Sequence, residues 1–261
     1  MHTDPASPKP AARHGLDGFT LIELLVVIAL VLTLAALTLA VVNKARARAD
    51  NVRAVLNMKE IGSALAAYMS EHDHLPTFRD LGVSAAISTA DPYTQAYVLQ
   101  PYLGINDPTS QVQYAKIFQP PGLKRDNMSG KKNWYEVTCY AMYSSEFFPA
   151  TKAYFPKGAV IGEDGVEIGP FGRVSDTSTV IDGWRPAQFD AALSNYSQAN
   201  NGRIATLAKV PAMLEINAKY ACTQGSWPWT VPQKPLRGDH INVLYFDWRV
   251  ESVTPQYFYT P

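Results

Sequence analysis

Cysteine is almost absent: Cys139 and Cys222 are the only two in 261 residues. That excludes a disulfide-built scaffold. It permits at most one bridge, in an oxidising compartment, and the sequence leaves open whether the two meet. Excess charge is absent as well. Lysine plus arginine and aspartate plus glutamate number 23 each, so neither a basic nucleic-acid surface nor an acidic disordered chain is indicated. There is no Gly-x-Ser-x-Gly elbow and no glycine-rich phosphate loop. Ser178, His240 and Asp247 make a hydrolase triad only on paper, and no enzymatic activity is expected. Internal repeats and long low-complexity tracts are missing too.

One stretch lacks charge almost entirely. From Phe19 to Val42 the only ionisable side chain is Glu23, and neither glycine nor proline interrupts the run. About 24 residues suffice, as a helix, to cross a hydrocarbon core of ~30 Å. An ionised carboxylate at membrane depth costs on the order of a few kcal/mol unless paired, so Glu23 marks either function or a position near the interface. A cut between Gly18 and Phe19 would create an amine four residues from Glu23, on the same helical face. An ordinary signal peptide is not indicated, because the apolar run is too long and no small-residue cleavage site follows it.

The segment Gly18-Phe19-Thr20-Leu21-Ile22-Glu23-Leu24-Leu25-Val26-Val27-Ile28-Ala29 resembles the N-terminal signal of type IV pilins and type II secretion pseudopilins. The resemblance covers Gly18 to Ala49. It implies that a prepilin peptidase cuts after Gly18 and methylates Phe19, and that Glu23 guides subunit assembly. Partners would be other pilin or pseudopilin subunits, the peptidase and an inner-membrane assembly platform. Asn57-Met58-Lys59-Glu60-Ile61-Gly62-Ser63-Ala64-Leu65 is similar to the "NLKQIGLAL" stretch of pseudopilin-like proteins from planctomycetes and verrucomicrobia. Ile241 to Val250 is similar to their "NVLFADGHV" ending. Departures are Asp17 beside the cut, Ala40 and Gln119 where relatives often carry Pro and Cys, and Trp248 and Arg249 for Gly and His. The tight turn of that ending is therefore not secured by this sequence.

Along the chain, residues 1–18 read as a leader with Lys9, Arg13 and His14, residues 19–42 as a transmembrane and assembly helix, and 43–74 as its amphipathic continuation. Val52, Val55, Leu56, Ile61, Leu65, Tyr68 and Met69 recur at helical steps, and Pro76 stops the helix. Residues 75–261 read as a periplasmic α+β domain. A short helix is expected at Thr94–Leu99, broken by Pro101, and an exposed basic loop at Lys124–Lys132 beside Trp134 and Tyr135. Strands are expected at Tyr135–Ser144, at Ser178–Gly183, as a hairpin around Glu163-Asp164-Gly165, and most strongly at Ile241–Val250.

His72 and His74, with Glu71 and Asp73, read as a solvated helix end rather than a metal site. Asp182, Asp239 and Asp247 are oxygen donors of the kind that hold Ca²⁺, and the major pseudopilins do bind calcium. Their spacing matches no calcium loop, so turn aspartates explain them more simply. The expected fold is thus α+β and pilin-like, a long N-terminal helix packed on a small antiparallel sheet. The expected function is that of a structural filament subunit. The alternative is a periplasmic binding domain on a passive membrane anchor.

Overall fold

The computed structural model describes residues 19–78, 86–87, 92–105, 113–119, 121, 140–142, 170–174, 180–191, 207, 210–215, 235 and 238–258. The leader, both cysteines, the basic loop and the hairpin expected around Asp164 lie outside these residues.

The first element is a 52-residue helix, α1 (Leu21–His72). It begins where Thr20 can cap it and ends at Asp73, which takes a left-handed φ of 60° and donates its N–H to Met69 O at 3.0 Å. The chain divides into two compact units, Met1–Arg46 and Ala47–Pro261. In the first, the residues from Phe19 to Leu39, with Val41 and Val42, are exposed. In the second, α1 is one-sided: Ala54, Met58, Ile61 and Leu65 are all fully buried, at the steps of four, three and four that trace one helical face. Val52 and Leu56, expected on that stripe, are exposed. The buried face runs instead through small residues, Ala54, Gly62 and Ala64, which let a sheet approach closely. A Cβ on Gly62 would lie 2.9 Å from Leu244 Cδ1, so the ~1 kcal/mol a helical glycine costs is offset by that contact.

After α1 come β1 (Thr77–Phe78) and β2 (Ala86–Ile87). Helix α2 (Gln95–Leu99) is capped by Thr94, whose hydroxyl accepts the Tyr97 N–H at 3.2 Å. The α-helix ends at Leu99, ahead of Pro101 as expected, but Pro101 does not end the helical path. It sits in the first turn of a 3₁₀ continuation, Gln100–Leu103, where a missing N–H costs nothing, and Gly104 ends it at φ 61°. Then follow β3 (Gln113–Tyr114), β4 (Tyr140–Met142), β5 (Gly172–Val174), β6 (Val180–Ile181), a helical turn at 186–191, β7 (Pro211–Glu215), β8 (Ile241–Tyr245) and β9 (Val250–Val253).

The main sheet is antiparallel, in the order β4-β7-β8-β9. Both central strands, β7 and β8, are buried along their whole length, as strands covered on both faces must be. Met58, Ile61 and Leu65 of α1 join Met213, Val243 and Leu244 in one core cluster. Full burial of each such side chain is worth about 1.5–3 kcal/mol. The fold class is α+β, with one qualification to an all-antiparallel expectation: β1 pairs parallel to β5 in a separate sheet, β1-β5-β6. There Leu75 N–H bonds Trp184 O at 3.0 Å and Gly172 N–H bonds Pro76 O at 3.1 Å. Gly183 admits no side chain, since a Cβ would lie 2.3 Å from Leu75 O.

The run Ile241–Val250 is not one strand. It turns back after Tyr245, and the residue that permits this is Trp248, at φ 64°. Trp248 N–H bonds Tyr245 O and Tyr245 N–H bonds Arg249 O, both at 2.9 Å. The tight turn therefore forms without glycine. A left-handed backbone costs a non-glycine residue roughly 1–2 kcal/mol, and here the indole is half-buried on the core against Phe246.

Candidate functional site

The start of α1 is a local hydrogen-bonded unit. Thr20 donates its backbone N–H to Glu23 Oε2 at 2.9 Å and its hydroxyl to the same oxygen at 2.8 Å. The Glu23 N–H reaches back to Thr20 Oγ1 at 3.3 Å. This reciprocal arrangement, a hydroxyl residue followed three positions later by Glu, is a capping box. It satisfies donors that the first turn of any helix leaves open. Reading the sequence for apolarity alone missed Thr20; the Thr-x-x-Glu spacing was the signal that would have found it. Glu23 is thus not a lone carboxylate even within a single chain.

Around it the surface is greasy on all sides. Phe19 is 73% exposed and Leu21 81%. The helix is long and apolar enough to cross a membrane. Gly18, the residue before the expected cut, lies outside the described residues.

The three aspartates weighed as calcium ligands have separate surroundings. Asp247 Oδ1 accepts the Arg249 N–H at 3.1 Å, and Asp247 Oδ2 lies 3.7 Å from the Arg249 guanidinium, which is the work of a turn aspartate. Asp239 pairs with its neighbour His240. Asp182 is exposed and acts on Tyr68, whose pKa is raised by burial first and by the charges of Asp182 and Glu71 next. Among the described residues no group of three or more His, Cys, Asp or Glu side chains could hold a metal ion. Of the paper triad, Ser178 lies outside the described residues, while His240 and Asp247 are engaged as above.

The end of α1 is more structured than a solvated cap. Tyr102 donates its hydroxyl proton to Glu71 Oε2 at 2.7 Å. His72 Nε2 lies 3.0 Å from the Tyr102 hydroxyl oxygen and, that hydroxyl's proton being engaged, must be the donor in its own bond. Tyr68 packs on His72 with ring centroids 4.2 Å apart, and on Tyr102 at 5.7 Å. Loss of hydration and the bond to Glu71 push the Tyr102 pKa up to about 12. His74 bonds Leu75 O through Nδ1 at 2.8 Å. Sequence spacing offered no sign of Tyr102, which comes 30 residues after His72.

One feature thus stands out: an apolar helix opened by a carboxylate-containing cap. Compared with models of protein families, with curated proteins and with solved structures, the chain matches none.

Proposed function

We propose that the chain is a pseudopilin or minor pilin. In this reading it is a single-pass inner-membrane precursor with its C-terminal domain in the periplasm. Prepilin peptidase processes it after Gly18, and it polymerises through Phe19–Val42 into a type II secretion or type IV pilus-like filament. The observation that carries the reading is the exposure of the residues from Phe19 to Leu39, with Val41 and Val42. A helix apolar on all faces requires lipid, then protein, around its whole circumference. A filament core of identical helices supplies the second as a bilayer supplies the first. The resemblance of Gly18–Ala29 to the prepilin signal supports the same reading.

A passive anchor bearing a binding domain is the second reading, and the capping box favours it. An anchor helix needs a start, and Thr20 with Glu23 provides one without any neighbour. Processing separates the two. Co-expression with a prepilin peptidase should remove 18 residues and leave a methylated Phe19, read by intact mass. An unprocessed chain, or a cut near Ala35-Ala36, would place it in the anchor or signal class.

A further inference from the structure

Directly after the apolar run the charge pattern changes. Asn43-Lys44-Ala45-Arg46-Ala47-Arg48-Ala49 carries three cations and no carboxylate, and each of its residues is helical and exposed. The ion pairs of the described residues lie elsewhere, at His240 and Arg249. Two residues turn a helix by about 200°, so Lys44 and Arg46 stand on opposite sides of α1 and Arg48 returns close to Lys44. Along the helix the three lie about 3 to 9 Å beyond Val42. A bilayer of ~40–45 Å with a ~30 Å hydrocarbon core has an interfacial layer about 5–8 Å deep on each side. Long flexible stems bring the outermost cation within that depth. The other end of the apolar run has no such excess: in residues 1–18 Lys9 and Arg13 are matched by Asp4 and Asp17.

We infer that Lys44, Arg46 and Arg48 bind the headgroups of anionic phospholipids. The occupant follows from the arrangement. A protein partner docks against one side of a helix and would leave either Lys44 or Arg46 unmatched. A headgroup layer surrounds the helix and meets both. A nucleic acid strand calls for a continuous basic face with stacking rings, and this run has neither that face nor an aromatic residue. A free phosphate calls for donors that converge on it, and these diverge. Lipid phosphates lie where the cations are, because the helix that precedes them is long and apolar enough to cross a membrane. Anionic lipids are favoured over zwitterionic ones, whose headgroups bring a cation of their own. The inference rests on the helix entering a bilayer, and not on processing or filament assembly. In the proposed filament subunit, extraction from the bilayer would break these contacts.

The test uses the full, unprocessed chain in liposomes of phosphatidylcholine with a trace of spin-labelled lipid, either phosphatidylglycerol or phosphatidylcholine. Electron spin resonance reads the fraction of each lipid whose motion the protein restricts. Phosphatidylglycerol should be preferred by about threefold or more at low salt, and less at high salt, where charges are screened. Replacing all three cations, Lys44→Gln with Arg46→Gln and Arg48→Gln, should remove most of that preference. Glutamine keeps helix propensity, so circular dichroism and the restricted fraction of phosphatidylcholine should not change. A charge-keeping variant, Lys44→Arg with Arg46→Lys and Arg48→Lys, should retain the preference, as should Lys59→Gln further along α1. An undiminished preference in the triple glutamine variant, or none in the parent, overturns the inference. Loss of the preference on adding inorganic phosphate at matched ionic strength overturns it in favour of a free-anion site. No restricted lipid of either kind overturns it together with the membrane span, whereas failure of the peptidase to cut the chain leaves its expected result unchanged.

Discussion

At the scale of single residues, Glu23 carries two roles that ordinary substitutions confound. As the third residue of the helix its carboxylate completes a capping box with Thr20. In the proposed filament it would also pair with the Phe19 amine of an adjacent subunit. Glutamine serves a capping box as well as glutamate does but carries no charge; leucine can do neither. If charge sets subunit register, Glu23→Gln should lose inter-subunit cysteine cross-linking as fully as Glu23→Leu, with membrane insertion intact in both. Cross-linking retained by Glu23→Gln and lost by Glu23→Leu would assign the residue to capping alone. The sequence showed Glu23 to be anomalous because one charge stands out in an apolar run. It showed Tyr102 and Trp248 poorly. The role of Tyr102 depends on a partner far away in the chain, and that of Trp248 on a backbone angle its residue type disfavours.

At the scale of elements, the β8–β9 hairpin shows where pattern reading stops. Ile241 to Val250 alternates and branches like one strand, and the reversal at its middle is built on a tryptophan. Aspartate at 247 supplied the local turn chemistry, but the left-handed position after it holds a residue with no statistical claim to it. Two terms then oppose each other on substitution. Trp248→Gly relieves roughly 1–2 kcal/mol of backbone strain and forfeits a comparable part of the half-buried indole's packing, full removal of a core aromatic costing ~3–5 kcal/mol. Chemical denaturation should therefore find this variant within about 1 kcal/mol of the parent, whereas Phe246→Ala, buried in the core, should lose about 3 kcal/mol or more. A loss of that size for Trp248→Gly would mean that the indole contact outweighs the strain. The continuation of α1 was legible in outline from its helical periodicity. Its buried face was displaced toward Ala54, Gly62 and Ala64, because small residues bury by letting a neighbour come near, and hydrophobicity does not register that.

At the scale of the whole molecule, the α+β class could be read because a long apolar run followed by aromatic, β-branched segments admits few other arrangements. The parallel pairing of β1 with β5 could not, since strands of two and three residues carry no period. The unit Ala47–Pro261 encloses its own core, with Met58, Ile61 and Leu65 inside it. A fragment from about Lys44 to Pro261 should accordingly unfold cooperatively in water without detergent, and Ile61→Ala within it should cost about 2–5 kcal/mol. Aggregation of that fragment, or a non-cooperative transition, would show that the core needs the apolar half. The side chain of Asn242 on β8 donates to Asn51 Oδ1 on α1 at 3.0 Å and to Glu215 Oε2 at 2.7 Å, and accepts from Ser252 at 2.6 Å. The first of these joins residues 191 positions apart. At a synthesis rate of roughly 5–20 residues per second, that separation becomes a delay of about 10–40 s. For that interval the nascent chain holds a finished helix with one flank uncovered, and the strand that will cover it has yet to be translated. The last tenth of the message decides when the first helix of the domain stops being a newborn's exposed surface.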